Sequence, residues 1–295
     1  MNVDHYFTIG ADHQRAGTPC EDYALSGHLS SGAAFGVVTD GCSGANANTD
    51  VGARALAWAF KKSAQDVAID SDLWISPDFL SQLQAVFKEH QYSGSQLDYL
   101  ATLVGFIATE DRVDVHVQGD GALAILHADG LMSLFQFGWL NEMPFYLQYK
   151  SDDAAITTFQ QLYPHGIVEP FSVRGTLFRS ANGVATVTSE MCRRYALDEV
   201  YDGHTMSFSP KVDNIVAVAV MSDGIDRVRN VPSLEAVREL MAFKNHQGSF
   251  VKRRMMRALE AFRKFPATSS DASSTGIPGD DISMAVVWFP QGEQS

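Results

Sequence analysis

Three apolar, β-branched runs carry aspartate at one end. Asp40-Gly41 closes Phe35-Gly-Val-Val-Thr39, Asp223-Gly224 follows Ile215 to Ser222, and Gly279-Asp280-Asp281 opens Ile282 to Phe289. A strand end on a rigid sheet can present a carboxylate into a cleft, and glycine beside it permits a sharp turn or a close approach. Carboxylates brought together from separate strands repel one another unless a cation neutralises them. The hard divalent ions Mg²⁺ and Mn²⁺ take such oxygen ligands. Taken singly, each Asp-Gly is also an ordinary turn dipeptide. The order of the whole set is what distinguishes these readings.

Glu21-Asp22 stands ahead of an apolar stretch, followed by Asp40-Gly41-x-x-Gly44, and this opening resembles that of the type 2C metal-dependent protein phosphatases. Further segments agree in order. Leu100-Ala-Thr-Leu-Val104 matches a small-residue strand entry, and Val117-Gln-Gly119-Asp120 matches a Gly-Asp motif. Ser222-Asp223-Gly224 and Gly279-Asp280-Asp281-Ile282-Ser283 match the closing motifs. His13 ahead of Gly17-Thr-Pro-Cys20 makes the compact bacterial branch the nearest likeness.

The composition is compatible with this. A chain of 295 residues with 45% hydrophobic and 19% charged residues is an ordinary globular protein with length for a real core. A net charge of −13 argues against nucleic acid, since no basic surplus replaces counterions along phosphates. The basic group Lys252, Arg253, Arg254 and Arg257 reads as a solvated helix face. Cys20, Cys42 and Cys192 cannot complete a disulfide framework, which suits a reducing compartment. The N-terminal residues lack a signal-peptide pattern and no apolar run would span a bilayer, so the expected location is cytoplasmic, without membrane contact.

These residues must be positioned by the elements between them. A strand from Tyr6 to Ala11 leads into a loop holding His13, Arg15, Glu21 and Asp22. Helical spacing runs from Thr49 to about residue 68, and Ser76-Pro77-Asp78 opens a second helix by its cap and first-turn residues. Residues 102–108, 113–117 and 122–127 read as an antiparallel meander, with strict alternation in the second. His116 lies within it as a surface or hydrogen-bonded strand histidine. Helix patterns return at 234–242 and 250–265, and 266–278 reads as a surface loop. Strands grouped around helix pairs, not alternating with them, indicate an α+β fold.

The resemblance makes this specific. It implies one phosphatase-like domain over 1–295: two packed, mostly antiparallel β-sheets flanked by helices on both sides, with a less regular flap region at about 131–210. It implies a serine/threonine protein phosphatase using two Mg²⁺ or Mn²⁺ ions, with a third as an option, to hydrolyse phosphomonoesters by attack of metal-activated water. Asp40 would bridge the ions and the Gly41 carbonyl would complete the first; Asp223 and Asp280 would hold the second. Glu21 and Asp22 would act through water. Asp120 would help hold the third ion or form a hairpin turn, and Asp281, where the family often has Asn, would orient Asp280. Arg15 is the candidate for gripping phosphate, at unusual spacing from Asp22, with His13 sharing or replacing it. Cys42 stands where many members have a histidine, and reads as a small packing thiol or, with Cys20, a redox sensor. The implied partner is a phosphoserine or phosphothreonine protein, opposing a kinase. The alternatives are a phosphatase-like binding or regulatory module with little turnover, and a structural metal protein.

Overall fold

The computed structural model describes residues 1–43, 48–67, 77–91, 95–151, 153–161, 169–181, 183–265 and 278–290. Gly44, Ser76 and nearly all of the 266–278 loop lie outside these. The described strands are β1 (Asn2–Thr8), β2 (Asp22–His28), β3 (Ala34–Gly41), β4 (Ala101–Ala108), β5 (Val113–Gln118), β6 (Gly121–His127), β7 (Leu131–Trp139), β8 (Phe171–Ala181), β9 (Val184–Tyr195), β10 (His204–Phe208), β11 (Ile215–Met221) and β12 (Ile282–Trp288). They form two antiparallel sheets, one ordered β1-β12-β11-β6-β7-β8-β9 and the other β10-β5-β4-β3-β2. The helices are α1 (Ala11–Ala16), α2 (Thr49–Val67), α3 (Pro77–Glu89), α4 (Asp153–Gln161), α5 (Leu197–Val200), α6 (Ser233–Met241) and α7 (Phe250–Phe262).

The central strands are apolar throughout because both of their faces are buried. In β11, Val218 and Val220 point to the layer between the sheets, while Ala217, Ala219 and Met221 point to α6 and α7. In β3, Ala34 and Val38 face the inter-sheet layer, and Phe35 and Val37 face α2 and α3. The result is four layers, helix–sheet–sheet–helix. Small residues recur on the helix side of the seven-stranded sheet (Ala122, Ala124, Ala217, Ala219), leaving room for Phe250, Met255 and Phe262 of α7.

Several sequence expectations change here. Residues 11–16 are helical, not loop; the first helical N–H groups bond to the Pro278 and Gly279 carbonyls at 3.0 Å each. The expected three-strand meander does not exist. β4 and β5 pair, but the chain then leaves the five-stranded sheet at Gly119-Asp120 and enters the other one as β6. Asp120 therefore sits on an inter-sheet crossing, not in a hairpin. Among the described residues of 131–210, β7, β8 and β9 extend the seven-stranded sheet, and β10 pairs with β5.

His116 is neither at the surface nor hydrogen-bonded. It is 6% exposed, both ring nitrogens lack a partner, and burial pushes its pKa down to about 3. The basic group on α7 is also not uniformly solvated, since Arg254 is largely buried and pairs with Glu239 at 2.8 Å.

Candidate metal centre

Antiparallel pairing brings the acidic strand ends to one edge of the sandwich. In the five-stranded sheet Asp22 at the start of β2 lies directly opposite Asp40 near the end of β3, and Asp40 is opposite Thr102. In the other sheet β11 ends and β12 begins at the same edge, Met221 pairing with both Met284 and Ala122. Asp223, Asp280 and the crossing residue Asp120 follow from that register. The glycines here serve close approach. A Cβ on Gly41 would lie 2.7–2.9 Å from Thr49, and one on Gly224 would lie 1.8 Å from the Asp281 carbonyl oxygen.

The sheets are tied together beneath this edge. Ser222 donates its hydroxyl to Asp22 Oδ2 at 2.6 Å and accepts the Ser283 N–H at 3.0 Å. Asp281, 2% exposed, accepts the N–H groups of Gly10 and Glu21 at 2.6 Å each and that of Asp22 at 3.4 Å. Its side chain thus anchors the N-terminal segment, where the expected role was to orient Asp280; Asp280 instead accepts the Asp281 N–H at 2.9 Å.

Above the edge lies a cleft of about 510 Å³ lined by Asp40, Gly41, Asp120, Asp223 and Asp280. Phe137, Trp139 and Tyr146 form its opposite wall. That wall is fastened to the inter-sheet crossing: Trp139 Nε1–H donates to the Gly119 carbonyl at 2.9 Å and Gln118 to the Phe145 carbonyl at 2.8 Å. Trp139 packs in turn on Phe145, Phe159 and Phe171. Asn141 and Glu142, at φ of 59° and 54°, turn the chain between Trp139 and Tyr146 in the left-handed region, which asparagine adopts more readily than glutamate.

The acids perturb one another. Burial, then the charges of Asp22, Asp223, Asp120 and Asp280, hold the Asp40 carboxyl well above its ordinary range. Burial pushes Asp22 up to about 8 against the lowering effect of its Ser222 bond, with Asp281 and Asp223 adding to the rise. Burial and Asp223 push Asp120 up to about 8. Burial also raises Asp223, although Arg227 works the other way. A carboxyl raised from 3.8 to about 8, as Asp22 and Asp120 are, costs about 6 kcal/mol to hold ionised in the folded state, so ionising the set together without a cation would use up much of a domain's stability.

The donor set, all carboxylate and carbonyl oxygen, suits hard divalent ions. Glu21 fits the same picture: it accepts the Thr49 hydroxyl at 3.1 Å through Oε1, while its buried Oε2 has no hydrogen-bond partner. His13, Asp280 and Asp281 form a neighbouring cluster whose ligand-type atoms lie within 4.8 Å of one another. His13 Nδ1 is 2.9 Å from Asp281 and Nε2 is 3.5 Å from Glu21. Burial opposes its charge, but Asp281, Glu21 and Asp280 outweigh burial and raise its pKa.

Of the expected site residues, Asp40, Gly41, Asp120, Asp223 and Asp280 line the cleft, Asp22 and Glu21 lie beneath it, and His13 lies beside it. Arg15 is not brought there. Its side chain is 65% exposed and turns back along α1 to pair with Asp12, because an i, i+3 acid is nearer than the cleft. Cys42 lines the cleft next to Tyr146, and both are residues of the wall opposite or beside the acids. Cys20 is unsuited to redox sensing, since burial and the charges of Asp281 and Asp22 push its thiol pKa up, away from a reactive thiolate. Sequence reasoning gave no role to Ser222 and overlooked Arg227; the signal for the latter was its i, i+4 spacing from Asp223.

A family model described as protein phosphatase 2C matches residues 9–262. A crystal structure of a bacterial serine phosphatase superposes with a TM-score of 0.56, covering 99% of this chain and 99% of that one at 11% identity. The serine/threonine phosphatase Stp1 from Staphylococcus aureus superposes with a TM-score of 0.54, covering 99% and 96% at 12% identity. At these identities the likeness to solved structures is one of fold. No curated protein matches by sequence.

Proposed function

The chain belongs to the protein phosphatase 2C family, and from that premise we propose that it removes phosphoryl groups from serine and threonine side chains of proteins with Mg²⁺ or Mn²⁺ as cofactor. The observation that carries this reading is the gathering of Asp22, Asp40, Asp120, Asp223 and Asp280 at one sandwich edge, where burial and neighbouring charge raise the pKa values of the first four. Asp40, Asp223 and Asp280, with the Gly41 carbonyl, would hold two ions; Asp120 would contribute to a third, and Glu21 and Asp22 would act from behind through water.

Bound there, divalent ions supply a nucleophilic hydroxide near neutral pH and neutralise the phosphoryl oxygens. The chain's own residues supply the rest. Ser222 and Asp281 fix the sheets and the N-terminal segment so that the acids keep their register. His13 is set between Asp281 and Glu21, whose charges raise its pKa, and when protonated it offsets part of the negative charge. Phe137, Trp139 and Tyr146 supply the apolar part of the cleft lining.

The proposed setting is the bacterial cytoplasm, where a kinase would install the phosphoryl group; the three cysteines are all free, as a reducing compartment requires. Among the described residues no helix is long and apolar enough to cross a membrane. The test is hydrolysis of a phosphoserine peptide by the full chain after chelation and Mn²⁺ add-back. Turnover that vanishes and returns supports the reading. Turnover undiminished in verified metal-free protein rules out the cofactor, and no turnover with Mn²⁺ present rules out the enzyme.

A further inference from the structure

An acid-lined cleft repels a phosphate ester, and a fixed positive side chain facing the phosphoryl oxygens would offset that repulsion alongside bound cations. Among the described residues lining the cleft, Arg227 is the one cation. It sits on the short helical turn Asp223–Arg227 that follows β11. Its Nη2 lies 3.2 Å from Asp223 and its Nη1 3.1 Å from Asp280, so the guanidinium spans the ends of two neighbouring strands.

The side chain is 51% exposed, so one side rests on these acids and the other remains open. It also borders a second cavity of about 300 Å³, shared with Asp12, His13, Ser43 and Arg229. Arg229 is committed to Asp12, at 2.8 and 3.1 Å. Arg227, with Ser43 and Asp280, thus lines both cavities. A planar guanidinium has five N–H donors, and two carboxylate contacts leave others to meet a tetrahedral anion.

We propose that Arg227 grips the phosphoryl group of the substrate, the task that sequence spacing gave to Arg15. The assignment rests on the phosphatase reading for its substrate and on the geometry of this cleft for the residue. Asp223 and Asp280 hold the guanidinium at the cleft mouth from below. Their charge is then shared with bound cations, and the open side of the fork faces the phosphate.

Binding separates this from a structural role. Inorganic phosphate is titrated calorimetrically into Mn²⁺-loaded full-length wild type, Arg227→Met, Arg227→Lys and Arg15→Ala, and Mn²⁺ is titrated into each metal-free protein. Arg227→Met should weaken phosphate binding about ten- to hundredfold, the range for a lost charge-assisted contact. Lys should recover part of it, and Arg15→Ala should match wild type. Mn²⁺ binding to Arg227→Met should be unchanged or tighter, because a cation competing for Asp223 and Asp280 has gone.

Unchanged phosphate affinity in Arg227→Met, lost affinity in Arg15→Ala, weaker Mn²⁺ binding in Arg227→Met, or a wild type that binds no phosphate would each overturn the proposal. Phosphate binding through Arg227 in a protein without Mn²⁺-dependent turnover would refute the enzymatic reading while upholding the assignment of the anion contact.

Discussion

Replacing Asp120 by Asn should make the metal-free protein more stable at neutral pH. The carboxyl sits on the β5–β6 crossing, and burial with the Asp223 charge pushes its pKa up to about 8, from 3.8. Between those values the folded chain keeps a proton that the unfolded chain has lost, so stability falls as pH rises through this window. The slope is about 1.4 kcal/mol per pH unit, which amounts to about 4 kcal/mol at pH 7 for a group titrating alone. Partial exposure and the shared repulsion with Asp223 reduce this. Asparagine keeps the shape and removes the charge, so we expect a gain of about 2–4 kcal/mol at pH 7, shrinking to nothing near pH 4. Urea unfolding of wild type and Asp120→Asn in chelator at pH 4.5, 6 and 7.5 reads the difference, from which titrating groups remote from the acidic edge cancel. Saturating Mn²⁺ should then stabilise wild type more than the variant. A difference that does not change with pH, or a variant less stable at pH 7.5, would refute the account of the acidic edge.

His116 gives the opposite slope. Its pKa, pushed down to about 3 from 6.5, means the unfolded chain binds the extra proton, so stability falls as pH drops below 6.5, by about 1.4 kcal/mol per unit; His116→Leu should remove that acid sensitivity in chemical denaturation. Trp139→Phe leaves the Gly119 carbonyl without its donor, and should cost about 1–3 kcal/mol in urea unfolding. Cys42→Ser should change p-nitrophenyl phosphate turnover little, since that leaving group needs almost no proton; loss of activity in the folded, metal-loaded variant would give the thiol a direct role.

The parts of the fold that the sequence announces are those with both faces buried. β3, β11 and β12 read as unbroken apolar runs because helices cover one side and the opposite sheet the other, and the aspartates at their ends mark the edge where the site forms. Sheet membership was less legible. Alternation in β5 and the apolar run of β6 are local patterns, whereas the crossing at Asp120 depends also on β10, which pairs with β5, and β11, which pairs with β6, both distant in sequence. β9 is exposed on both faces along most of its length, so it lacks the periodicity that would have revealed it within 131–210. The acids at the site were found by type and position. Arg15 was matched by type alone, and Asp12 three residues before it decides where its guanidinium goes. The i, i+4 spacing of Arg227 from Asp223 became meaningful only with the helical turn after β11, which the sequence alone did not announce.

The central claim is that the acidic edge is a divalent-cation site organised around Asp40. Calorimetric titration of Mn²⁺ into metal-free wild type and Asp40→Asn, both with folding verified by circular dichroism, tests it most directly. The account predicts two bound ions in wild type and, in Asp40→Asn, affinity lower by at least about tenfold, because Asp40 would be a ligand to both. Equal Mn²⁺ stoichiometry and affinity in the two proteins would contradict it.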